Sequence, residues 1–203
     1  MGLLDKEKWQ MRETENLEVL TREQLIELVQ IYEKDWLAID GIWFQSIEAK
    51  YGMDEAMCND VEVWKKFTVT EARRVKKFLK LEEQPGLEGL AKAFKYRLYS
   101  NIGREKITLE GDSLIYRMVE CKVQNTRLQK GLDLHPCRLV GDVEYAGFAK
   151  TIDDRIKCEC LSCYPDIKDD TMEVYAGRIK MRIESSLIKL LFFCVKLSKK
   201  WQQ

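Results

Sequence analysis

The chain has 203 residues, 45% hydrophobic and 33% charged, a composition that suits one ordinary globular domain able to bury a core without disulfide staples. Lys and Arg number 34, as do Asp and Glu, so no bulk field draws the chain to nucleic acid or to an anionic membrane. The single histidine, His135, excludes a multi-histidine zinc centre, and any metal must rest on sulfur and carboxylate.

Residues 1–18 are polar and charged and read as a flexible N-terminus without the apolar core of a signal peptide. No apolar run approaches the ~20 residues that span a bilayer, so a cytoplasmic address and reduced thiols are expected. Thr21-Arg22-Glu23-Gln24 is a capping box. Behind it Leu25, Val29, Tyr32, Trp36, Ile39 and Trp43 keep a helical period that stops at Gly52. This stripe reads as a face packed on a core, or as the lining of a ligand pocket built on Trp36, Trp43 and Phe44. Asp40, beside Gly41, is the polar oddity within it.

Two further helices are predicted over Met53–Phe67 and Thr70–Leu81, and a fourth over Leu87–Tyr99 after the break at Pro85-Gly86. The periodicity changes near Gly103. Lys106–Leu109 and Leu114–Cys121 read as strands around the hairpin turn Glu110-Gly111-Asp112-Ser113. A short helix follows over Lys122–Gly131. His135-Pro136 opens another that runs to about Ile152, with proline at its first position. Arg155–Leu161 and Met172–Ile183 complete a four-stranded antiparallel set, and Ser185–Lys200 forms an amphipathic terminal helix suited to docking a second subunit in a homo-oligomer. The fold class is therefore α+β: a helical region (19–102) packed on an antiparallel sheet with crossover helices (103–184), plus an extension (185–203), in one compact domain.

Cysteine spacing carries the chemistry. Seven cysteines occur, and Cys121, Cys137, Cys158, Cys160 and Cys163 fall within about forty residues. In a reducing compartment such clustering points to metal binding or catalysis. Cys160 and Cys163 have C-x2-C spacing; with Cys121 and Cys137 they compose a four-thiolate site for zinc, structural, sensing or hydrolytic in role. A second reading makes Cys137 or Cys121 a covalent nucleophile. Cys137 at a helix start would have its thiolate favoured, with His135 as the partner base. Gln124 and Arg127 follow Cys121 on the short helix, where Arg127 can clamp a substrate carboxylate. A third reading is a small-ligand or partner-binding module that performs no chemistry, with Trp43 and Asp40 in its pocket.

Glu120-Cys121 to Arg127, His135-Pro136-Cys137 to Gly141, and Cys160-Leu161-Ser162-Cys163-Tyr164-Pro165-Asp166 together resemble a family of uncharacterised microbial cytosolic proteins. That family is distantly similar to the 2-amino-thiazoline-4-carboxylate hydrolase group. The resemblance covers roughly residues 20–182 and implies a helices-plus-antiparallel-sheet domain with cysteines forming the site. The hydrolase pattern of a cysteine at a strand end and another some fifteen residues later maps onto Cys121 and Cys137. Cys158, Cys160 and Cys163 depart from it and favour metal over ring opening.

Overall fold

The structure, a computed structural model, describes residues 15–165 and 178–183. The expected helix over 185–200 and the first half of the last predicted strand lie outside the described residues. After a single turn, α1 (Glu15–Glu18), the capping box sets the start of α2 (Arg22–Tyr51). Thr21 Oγ1 accepts the Gln24 amide at 3.2 Å, and Gln24 Oε1 accepts the Thr21 amide at 2.9 Å. Gly52, at φ +87°, ends α2 in a region other residues rarely adopt, and α3 (Met53–Phe78) folds back at once. Trp36 stacks on Phe67 with ring centroids 5.5 Å apart, fixing the two helices side by side.

The two helices expected over 53–81 are one. Phe67-Thr68-Val69-Thr70 holds no glycine or proline, and tertiary packing overrides the weak β-branched signal. Thr68 is fully buried; its hydroxyl donates to the Glu144 carbonyl at 2.8 Å on α6 (Arg138–Ile152). Gly147 lets the two helices approach, since a Cβ there would lie 2.7 Å from Thr68 Cγ2. The fourth helix is also shorter than expected: α4 spans Gly86–Phe94. The chain leaves the helix so that Arg97 can turn inward and the Leu98 amide can donate to Glu71 Oε1 at 2.6 Å.

The sheet is four-stranded and antiparallel in the order β1-β2-β4-β3: β1 Arg104–Glu110, β2 Ser113–Glu120, β3 Ile156–Ser162 and β4 Arg178–Ile183. Gly111, at φ +60°, makes the two-residue hairpin turn predicted between β1 and β2. Register explains which residues share the inner face. Leu114, Met181 and Cys158 form one cross-strand row, and Tyr116, Ile179 and Cys160 form the next.

Among the described residues, apolar side chains gather in two places rather than one. The larger cluster joins sheet, α3, α4 and α6 through Phe94, Leu114, Tyr116, Phe148, Ile152 and Met181. The smaller joins Met57, Trp64 and Val140, with Phe44 of α2 packed against them. Residues of both clusters line a single cavity, Tyr116, Tyr145 and Ile179 from the larger and Phe44, Trp64 and Val140 from the smaller. No helix among the described residues is long and apolar enough to cross a membrane.

Candidate functional site

The cavity has a volume of about 200 Å³. Four helices and the sheet line it by their own periodicities. Asp40, Gly41 and Phe44 come from α2, and Asp60 and Trp64, one turn apart, from α3. Val140, Gly141, Glu144 and Tyr145 lie on one face of α6, while Tyr116 and Ile179 come from the sheet. The short helix α5 (Lys122–Gln129) and the loop after it supply Gln124, Arg127 and His135.

Cys121, Cys137, Cys160 and Cys163 all line this one cavity. Cys160 gets there by strand alternation from the buried Ile156. A register shift between Cys160 and Ser162 then breaks the alternation, which lets Cys163 face the same space three residues on. Cys158 shares the inner face but packs on the larger cluster, its thiol directed at the Tyr145 carbonyl at 3.6 Å and pushed up to about 12 by burial. Cys58 is exposed on α3, away from the group. Among the described residues no three His, Cys, Asp or Glu side chains stand close enough together to hold a metal ion.

The thiols are not equivalent. Cys137 is the N-cap of α6, which begins at Arg138 rather than at Pro136, and its thiol donates to the His135 carbonyl at 3.2 Å. The expectation that a helix start lowers this thiol's pKa is overturned: burial pushes Cys137 well above the usual thiol range, and nearby Cys121 and Glu144 push the same way. Burial also raises Cys121, against the opposing pull of the Gln124 and Val123 amides. Cys160 goes the other way. A hydrogen bond with Cys163 holds it down at about 7, with Arg138 adding to the effect against partial burial. Cys163, the other member of the pair and the more buried, is pushed up.

Polar groups around the thiols are tightly committed. Gln124, buried on α5, clamps the loop: its Nε2 donates to the His135 carbonyl at 2.7 Å and to Cys137 Sγ at 3.1 Å. Its Oε1 accepts the His135 amide at 2.9 Å. Arg127 is a fixed part of the wall rather than a free clamp. Its guanidinium forks onto Glu48 at 2.6 and 2.8 Å and donates through Nε to the Asp133 carbonyl. Asp40 accepts the Tyr99 hydroxyl at 2.7 Å, and burial raises its carboxyl despite that bond. Trp43, by contrast, is 67% exposed and does not line the cavity; Trp64, Tyr99 and Phe44 supply the rings there.

Two groups escaped the sequence reading. Asp60 pairs with His135, Nε2 to Oδ2 at 3.0 Å, from a helix 75 residues earlier in the chain. Arg97, 4% exposed, sits between Glu71 and Glu144 and over the rings of Tyr145 and Phe148 at 5.0 Å each. A lone arginine in an apolar helix pattern is the signal that Arg97 left; for Asp60 no local signal exists.

No curated protein matches the chain. A family model described as "Family of unknown function (DUF6125)" matches residues 18–177 and so spans α2 through α6, β1 through β3 and all four thiols of the cavity: the chain belongs to that family.

Proposed function

We propose that this protein is a thiol-dependent enzyme acting on a small carbon–nitrogen compound, with Cys160 as its nucleophile. One observation carries the reading: four thiols and the Asp60–His135 pair line a single cavity, and one of those thiols, Cys160, is held down near neutral pH. About 150 Å³ of dry cavity accommodates a benzene ring, so about 200 Å³ suits a molecule of one ring. Glu48 occupies Arg127, which removes the expected carboxylate clamp and favours a neutral substrate over an acid. In this reaction Cys160 Sγ attacks an electrophilic carbon, a carbon–sulfur bond forms, and the carbon–nitrogen bond breaks with a proton delivered to the departing nitrogen. Water then cleaves the carbon–sulfur bond and restores the thiol. We assign the proton transfers to His135, which lines the same cavity and is paired with Asp60.

Iodoacetamide labelling followed by peptide mass spectrometry tests this. Cys160 is expected to alkylate ahead of the exposed Cys58, at a rate that climbs with its thiolate fraction through a midpoint near pH 7 and falls away below it. Labelling of Cys160 no faster than Cys58 sinks the reading.

The second reading, a zinc site made by Cys121, Cys137, Cys160 and Cys163, is favoured by the way each sulfur lies within the influence of the next. Cys121 bears on Cys137, Cys137 on Cys163, and Cys163 on Cys160. Four thiolates suit zinc chemically, but the side chains would have to draw inward and give up the protons favoured by burial at Cys121 and Cys137 and by the hydrogen bond with Cys160 at Cys163. Metal analysis of protein purified without added metal separates the two, since one equivalent of zinc would favour this alternative.

A further inference from the structure

We propose that Cys160 and Cys163 close into a reversible disulfide when a hydroperoxide oxidises Cys160, so that the cavity's reactive thiol is switched off and protected by its neighbour. The inference rests on Cys160 being that reactive thiol, as argued above, and adds an oxidative modification of the same site.

On an unbroken strand, residues three apart point to opposite faces, so C-x2-C spacing alone would part these two sulfurs. The register shift between Cys160 and Ser162 turns Cys163 back to the Cys160 side, and the two thiols share a hydrogen bond. Bulges re-aim a side chain at the cost of a ladder position, and what is re-aimed here is a second sulfur. Just past it the Tyr164 carbonyl accepts the Arg138 amide at 3.2 Å, which ties this end of β3 to the start of α6. A disulfide draws two sulfurs to about 2 Å, and this pair starts from contact. Among the described residues no third His, Cys, Asp or Glu side chain joins the two closely enough to hold a metal ion.

The nearby thiols are engaged elsewhere. Cys137 donates to the His135 carbonyl and accepts from Gln124 Nε2, and Cys158 packs on the larger cluster with its thiol toward the Tyr145 carbonyl. Cys160 and Cys163 each keep part of their surface exposed and line a cavity of about 200 Å³, ample for a small hydroperoxide. In the first step Cys160 Sγ attacks one oxygen of the hydroperoxide. The oxygen–oxygen bond breaks, a sulfur–oxygen bond forms, and the thiol's proton leaves with the departing alcohol, or with water when the oxidant is hydrogen peroxide. Cys163 Sγ then attacks the Cys160 sulfur. The sulfur–oxygen bond breaks, a sulfur–sulfur bond forms, and the hydroxyl departs as water with the proton of Cys163. Two thiols have lost two electrons and two protons, and one hydroperoxide has become one alcohol and one water. A dithiol restores both thiols by exchange and is itself oxidised. Without a resolving neighbour the sulfenic acid goes on to the sulfinic acid, which a dithiol does not reduce. While the disulfide is closed Cys160 cannot attack carbon, so oxidation halts the reaction proposed above and spares the thiol.

The full chain is treated with hydrogen peroxide, its remaining thiols are blocked with iodoacetamide, and its tryptic peptides are weighed without reduction. Cys158, Cys160 and Cys163 fall in one peptide, which runs from Cys158 to Lys168. The expected peptide carries a single blocking group, on Cys158, is two hydrogens short, and yields no backbone fragments between Cys160 and Cys163. Dithiothreitol before blocking should return all three thiols. In Cys163→Ser the same treatment should leave Cys160 as a sulfinic acid, and the recovery of Cys160 alkylation by dithiothreitol is lost. If serine at that position unfolds the chain, the masses of the unaltered protein decide alone. An unoxidised Cys160, a sulfinic acid on it beside a free Cys163, a disulfide from it to Cys121 or Cys137, or full recovery in Cys163→Ser overturns the inference. The two proposals part company in the alkylation data. A sluggish Cys160 together with a Cys160–Cys163 disulfide removes the thiol enzyme and keeps the pair, whereas a fast Cys160 that peroxide carries to the sulfinic acid does the reverse.

Discussion

Two buried polar groups border the same cavity and are built on opposite plans. On one side Arg97 stands between Glu71 and Glu144 as the cation that both carboxylates share, and lies over two aromatic rings. On the other, the His135 loop combines an unpartnered ring nitrogen with thiols driven in opposite directions, Cys160 down and Cys137 up. A fully satisfied cluster holds helices in place. A cluster with a buried, unpaired ring nitrogen and one lowered thiol is not fully satisfied in that way. Glu144 touches both, since it pairs with Arg97 and also lines the cavity, where burial keeps its carboxyl raised against the pull of the arginine.

If the Arg97 side is structural, breaking it has the largest effect on stability of any single change here. Arg97→Ala leaves two buried carboxylates without their cation and empties the space between Tyr145 and Phe148. Urea unfolding should show a loss of about 3–5 kcal/mol. Arg97→Lys retains the charge but not the planar fork, and a smaller loss is expected of it. A loss under 1 kcal/mol for the alanine variant would mean that the cluster is wetter and looser than its burial implies. The comparison would then collapse.

On the other side the comparable change is Gln124→Ala. It strands the His135 amide and carbonyl, which Gln124 satisfies at once, and removes the donor to Cys137. About 2–3 kcal/mol of stability should go, less than at Arg97 because no ion is left unpaired. The sharper readout is the loop itself. With the clamp gone the imidazole is free to turn, so the nitrogen NMR signals of Nδ1 and Nε2 should move toward each other as the tautomers mix. Unchanged imidazole signals would show that Asp60 alone fixes the ring.

These two clusters also mark how far the sequence could be read. Strand periodicity, the Gly111 turn and the capping box at Thr21 act over a few residues, and each is present where expected. The convergence of Cys121, Cys137, Cys160 and Cys163 follows from the sheet and the helix start, so it too was legible, although the bulge that admits Cys163 was not. What stayed hidden depends on distant partners. Thr68 continues α3 because Glu144 and Gly147 receive it on another helix, and Asp60 orients His135 across 75 residues. The state expected of the Cys137 thiol differs for the same reason. A helix start favours the Cys137 thiolate locally, but burial by the whole fold outweighs that, and the lowered thiol is Cys160 at a strand end.

The smallest expected effect tests the aromatic stripe of α2, where a pattern of one residue type hides two environments. Trp36 stacks on Phe67 and Phe44 lines the cavity, whereas Trp43 turns 67% of its surface to solvent. Sequence periodicity places all three on related faces, because a helix hydrophobic on several sides gives no hint of which side is covered. Trp43→Ala should therefore change unfolding free energy by no more than about 0.5 kcal/mol. It should also leave the imidazole signals of His135 and the Cys160 alkylation rate at their original values. A change in either would place Trp43 at the mouth of the cavity after all, and would move the boundary of the site outward from the thiols to the exposed face of the long helix.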